Sequence, residues 1–225
     1  MTGVWQDIRY AIRQISKNLG FTLIVVLTLG LGICANSTIF SWIQSTLLEP
    51  IPGAGHTGDL VSVMRGPRNT SPNPPFSYPD LFDLRQRAHS VSGVLGYHHD
   101  WMALTGHGEP QRVYGTLTTA NYFDLLEVRP MLGRGFRLDE EKAPGGAPVA
   151  VISYSLWQTH YGGDPRIIGK VVEVNLHPFT VVGVAPEGFF GCMTGVRTDI
   201  WFPLSNDQVL QNTDRIERRG NACIS

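Results

Sequence analysis

The side chains best suited to chemistry are His98, His99, Asp100 and His107, which together look like a metal cluster. Zinc takes three or four such ligands converging on one point. Neighbouring residues on a strand point to opposite faces, so His98 and His99 cannot converge if this stretch is extended. Asp139-Glu140-Glu141-Lys142 reads as a solvated helix or turn. Cys192 and Cys223 either pair or remain thiols, and the third cysteine, Cys34, lies in an apolar run. No Gly-x-Ser-x-Gly elbow, Gly-Lys-Ser/Thr phosphate loop or Cys-x-x-Cys pair occurs. The expectation is a protein that is not an enzyme, with no cofactor and no metal.

The elements around these residues are more informative. Leu19 to Leu48 is a run of thirty residues without a charged side chain. About 20 apolar residues as helix cross a bilayer, so residues 19–48 are assigned as a transmembrane helix. A cleaved signal peptide is the rival, because Ala35-Asn36-Ser37 resembles a cleavage site. The apolar pattern, however, continues through Ile39, Phe40, Trp42, Ile43, Leu47 and Leu48, which a signal peptide does not need. A lipoprotein signal fits less well still, with bulky Ile33 before Cys34. Arg9, Arg13 and Lys17 precede the run against a lone acid, Asp7, which places the N-terminus in the cytoplasm and residues 49–225 outside.

Within residues 1–18, Trp5, Ile8, Ile12 and Ile15 recur every three or four positions, the pattern of an interfacial amphipathic helix. Inside the span, Gly30, Cys34, Ser37, Ser41 and Ser45 form a small-residue stripe of the kind that admits another helix closely. Asn36 adds a polar group that wants a partner in the bilayer. The helix-packing candidates are therefore Gly30, Cys34, Ser37 and Ser41, with partners on other chains, since this sequence offers no second span.

Net charge is -1, with 42% hydrophobic and 16% charged residues, which excludes a disordered tail and a polybasic nucleic-acid surface. Residues 60–64 alternate as a first strand, and the loop 66–75 contains four prolines. Ser77 and Pro79 open a helix to Ala88 with Leu81, Phe82 and Leu84 as its apolar contacts. Strands follow at 91–104 and 111–118. A short helical turn follows Asn121, then the Gly133–Gly135 loop. Next come a buried strand at 149–153 and a helix at 154–161 stopped by Gly162-Gly163. A hairpin at 170–185 turning on Leu176-His177-Pro178 precedes a last strand at 201–203. This order argues α+β.

Read in sequence, several stretches resemble one family. They are Leu29–Ser41, Glu49-Pro50-Ile51-Pro52, Ser77-Tyr78-Pro79-Asp80-Leu81, Arg112-Val113-Tyr114-Gly115, Asn121-Tyr122-Phe123 and Arg129-Pro130. Further along come Gly133-Arg134-Gly135-Phe136, Pro148–Ser153, Gly162-Gly163-Asp164-Pro165 and Phe179–Val184. The set resembles the MacB-like permeases of ABC transporters, of the acidobacterial type. The resemblance implies a permease subunit of the inner membrane with a first span and a periplasmic core domain built partly from βαββ-type units. It also implies an ABC ATPase partner that drives conformational change, and packing against other permease helices or a second permease copy. After Asn221 the resemblance ends, whereas such permeases continue through three further spans. The reading therefore expects an incomplete core domain, inactive alone, with Trp157, Phe179, Phe189 and Trp201 left partly exposed. The alternative is a single-span anchored periplasmic binding or adaptor module.

Overall fold

The computed structural model describes residues 5, 9–10, 13, 17–43, 53–55, 59–63, 76–106, 109–141, 146–193 and 195–211. The chain divides into two compact units, Met1–Glu49 and Pro50–Ser225. In the first, α1 (Leu19–Ile43) is a 25-residue helix. At 1.5 Å per residue it measures about 37 Å, longer than the roughly 30 Å of hydrocarbon. Leu19–Ser41 is long and apolar enough to cross a membrane. Its threonines do not leave hydroxyls unpaired: Thr28 and Thr38 donate to the carbonyls of Ile24 and Cys34, each at 2.8 Å. Trp5, Arg9, Tyr10, Arg13 and Lys17 are helical and exposed. Ile8, Ile12, Ile15 and residues 44–48 lie outside the described residues.

The outer unit contains α2 (Tyr78–Arg87), β1 (Tyr97–Thr105), β2 (Gln111–Thr118), α3 (Tyr122–Leu125), β3 (Leu132–Gly133) and β4 (Val149–Ile152). It continues with α4 (Tyr154–Tyr161), β5 (Val171–Val174), β6 (His177–Val184), β7 (Ile200–Pro203) and α5 (Asp207–Gln211). Local chemistry sets the helix ends. Ser77 and Asp80 form a reciprocal capping box on α2, with Pro79 in its first turn. Ser153 caps α4 by accepting from the Leu156 N–H, and left-handed Gly162 ends it.

The strands run β3-β6-β4-β7-β2-β1-β5, and β5 also pairs with β6, so six of them close into a ring with β3 attached outside it. β2–β7 and β4–β6 are parallel; the other pairs are antiparallel. This is the α+β architecture. Strand alternation sends Met102, Val113, Ile152, Val174, Phe179 and Phe202, one from each strand of the ring, into a single core. Val151 and Trp201 point the other way, into a second core with Tyr122, Phe123, Phe136 and Phe189.

Five sequence expectations need correction. Trp157, Phe179, Phe189 and Trp201 are 7%, 1%, 1% and 0% exposed, not partly uncovered, because the two sheet faces each have their own core. Residues 60–63 form no strand, with Val61 81% exposed; alternation without a neighbouring strand to pair with is not enough. On α2, Leu81 is buried but Phe82 faces solvent, and β1 begins at Tyr97 rather than residue 91. The β5–β6 turn is Asn175-Leu176, with φ of 50° and 67°, a two-residue hairpin turn that draws His177 and Pro178 into β6.

Candidate functional site

On α1, Gly30, Cys34, Ser37 and Ser41 fall within an arc of about 60° and extend about 16 Å along the axis, from the helical repeat of 3.6 residues and 1.5 Å rise. All four are exposed within this chain. A Cβ added at Gly30 would meet nothing within 4 Å, so the space over the stripe is open. Asn36 lies roughly 130° from the stripe's centre and belongs to another face. Ser45 is outside the described residues.

The histidines do not converge. His98 lies opposite Leu117 and His99 opposite Thr116 in the β1–β2 ladder. His99 packs against the Tyr114 ring at 5.4 Å, and burial lowers its pKa against an opposing push from Asp100. His107 is outside the described residues. Among the described residues no three metal-ligating side chains cluster.

The acidic run behaves unlike a solvated turn. Glu140 and Glu141 are 9% and 8% exposed, and each takes its own arginine. Arg134 grips Glu140 with two nitrogens, at 3.0 and 2.6 Å, while the Arg137 N–H donates to the same carboxylate at 2.7 Å. Glu141 accepts from Arg85 at 3.3 Å and from the Ala120 N–H at 3.0 Å. Arg85 also donates to Asn121 Oδ1 at 2.6 Å and to the Val94 carbonyl at 3.0 Å. Burial, then the Glu141 charge, push the Tyr78 phenol up to about 12. These contacts fasten α2, the segment before β1, the start of α3 and the Gly133–Gly135 loop to one four-residue turn at Leu138–Glu141. Only the spacing of Arg134 and Glu140 was within reach of the sequence. Arg85 and Glu141 are 56 positions apart and carry no local signal.

Cys192 has a free thiol that burial pushes up to about 11, and Cys223 lies outside the described residues. Two surface concavities are present. One of about 580 Å³ is lined by Phe123, Asp124, Glu127, Val128 and Arg129. The other, about 400 Å³, lies along α4 beside Glu187 and Arg197.

The described residues thus combine a long apolar helix with an α+β domain whose surface elements are fastened to the Leu138–Glu141 turn. Residues 22–221 match the model of the MacB-like periplasmic core domain. The chain belongs to that family. Its fold is similar to the periplasmic region of MacB from Actinobacillus actinomycetemcomitans, at 18% identity and a TM-score of 0.52, covering 73% of this chain and 68% of that one. It is also similar to the extracellular domain of the noncanonic ABC-type transporter YknZ from Gram-positive bacteria. There the identity is 20% and the TM-score 0.51, over 62% of this chain and 68% of the other. No curated protein matches the sequence. This MacB-like chain is thus a membrane-anchored protein whose outer unit is the periplasmic core domain of an ABC transporter permease.

Proposed function

We propose that the chain acts as a mechanical coupling subunit in the inner membrane. A partner ATPase works on the cytoplasmic side, α1 packs against other permease helices, and movement of those helices is passed to the periplasmic core domain. The chain itself performs no catalytic step. The observation that carries this reading is the continuity, in one family match, of an uninterrupted spanning helix with the core domain over residues 22–221. A helix that only tethered a domain would have no use for a small-residue stripe. The clamped Leu138–Glu141 turn supports the reading too, since a domain that transmits displacement must resist deformation. The N-terminus is assigned to the cytoplasm on the excess of Arg9, Arg13 and Lys17 before the span.

Topology has a direct test. Alkaline phosphatase fused after residue 60 is expected to be active in cells, and an inactive fusion would reverse the orientation. Helix packing has another. Gly30→Leu with Ser37→Leu fills open space in this chain, so it leaves the helix itself intact. In membranes containing the cognate ATPase, the double variant is expected to insert normally. It should nevertheless recover about tenfold less ATPase on mild detergent purification, because two leucines hold the neighbouring backbone away. Unchanged recovery would mean that the stripe faces lipid.

A further inference from the structure

The ring of strands is closed unevenly. β5 pairs with β1 only at Leu104 and Thr105, then turns away at Asn175-Leu176, whose Asn175 exchanges two hydrogen bonds of 2.8 Å with the Ala103 backbone. In an antiparallel ladder the residues whose main chain faces one neighbour alternate with those that face the other. Ala103 faces β5, so Trp101, His99 and Tyr97 face the same way, beyond the end of β5. Two contacts on the β2 side agree with this phase: Thr119 donates to the Gly96 carbonyl, and Tyr114 faces Asp199 instead of β1. Among the described residues nothing pairs with the main-chain N–H and C=O of Tyr97 and His99, or with the C=O of Trp101. The Trp101 N–H is occupied at 2.7 Å by the side chain of its own neighbour, Asp100. Among the described residues the unpaired edge is therefore five residues long, about 16 Å.

We propose that this edge of β1 is a docking site for an extended, cationic peptide segment of a partner protein, added as an antiparallel strand. The edge itself specifies main chain as the occupant, because only another strand matches alternating donors and acceptors at this spacing. The side chains specify the rest. One face of the edge carries Trp101, 54% exposed, with Tyr114 against it at 4.9 Å and the Arg112 guanidinium over its ring at 4.4 Å, and the part of the ring they leave open takes apolar residues. The other face carries the exposed carboxylate of Asp100, whose second oxygen accepts from Gln211 at 3.1 Å. A lysine or arginine beside Asp100 draws its carboxylate off the Trp101 N–H and frees that donor for the incoming strand. Without such a cation the guard stays in place, as isolated charges do on edges that must not aggregate. The partner is thus an alternating apolar–basic strand, and the assignment does not depend on the coupling reading.

The probe is the capped heptapeptide Val-Lys-Val-Lys-Val-Lys-Val, added to the full chain in detergent micelles. In the antiparallel register its valine N–H groups bond the edge and its lysine N–H groups point away. Hydrogen exchange at the Tyr97 and His99 amides is expected to slow at least about tenfold at saturating peptide. N-methylation of the valines should abolish that protection, and N-methylation of the lysines should spare it. Asp100→Asn keeps an acceptor for Trp101 but removes the charge, and should weaken binding several-fold and flatten its salt dependence. Equal binding by both methylated peptides, or no protection at millimolar peptide, overturns the proposal. So does protection that appears without peptide and grows with protein concentration, since the occupant would then be a second copy of the chain.

Discussion

Trp201→Ala is expected to destabilise the outer unit by about 4 kcal/mol, the range for removing a large aromatic ring from a closed core. Trp201 is fully buried, stacked on Phe189 at 5.5 Å and edge-on to Phe123 at 5.8 Å. It also stands opposite both Val151 and Thr116, so its strand joins the two halves of the sheet. Loss of the ring leaves a cavity where no other element can collapse without breaking a ladder. Chemical denaturation of the full chain in detergent, followed by near-ultraviolet circular dichroism, measures the effect. Val171→Ala, at a site 58% exposed, is the comparison and should fall within about 0.5 kcal/mol of the parent. A loss below about 1 kcal/mol at Trp201 would contradict the packing described above.

The second large effect is electrostatic. Glu141→Leu is expected to cost about 3 kcal/mol, because it strands the Arg85 guanidinium, three-quarters covered, and leaves the Ala120 N–H without its acceptor. The informative variant is the double one. Adding Arg85→Met removes the stranded charge and should restore part of the loss, giving a coupling of about 1–2 kcal/mol between the two sites. Strict additivity would show that the pair is a surface contact. Leu138→Ala, at a site 68% exposed in the same turn, should change little and guards against a general effect of the segment.

The parts of this molecule that were legible in its sequence are those specified locally. α1 announces itself by composition, α2 by Ser77, Asp80 and Pro79, and α4 by Ser153 at one end and Gly162 at the other. The β5–β6 hairpin was found but its turn misplaced, because Leu176 is a poor guide to a left-handed position that Asn175 and glycine usually occupy. Residues 60–63 had the alternation of a strand and no partner to pair with. Glu141 was misjudged for the opposite reason, since its Arg85 arrives from 56 positions away, whereas Arg134 stands only six positions before Glu140. The four aromatic residues expected to show at the surface are covered by the two cores of the closed sheet, Trp157 and Phe179 by one and Phe189 and Trp201 by the other. Closure depends on β1 meeting β5 and β2 meeting β7, and neither meeting leaves a trace in a window of neighbouring residues. The small-residue stripe is plain in the sequence, and the role proposed for it rests on other permease helices.

The position of β7 has a consequence for how the protein is made. It is the last strand among the described residues and the one between β4 and β2, so both of those strands have a bare edge until it arrives. The spanning helix reaches the translocation machinery first, and about 150 residues of outer domain then cross before Ile200 does, a strongly non-local order of assembly. In that interval β1–β2, β1–β5, β4–β6 and β5–β6 can pair, but the ring cannot close. The ring closes only after Pro203 has crossed, and a stall between β4 and β7 would leave the edges of β4 and β2 open to pairing with neighbouring chains.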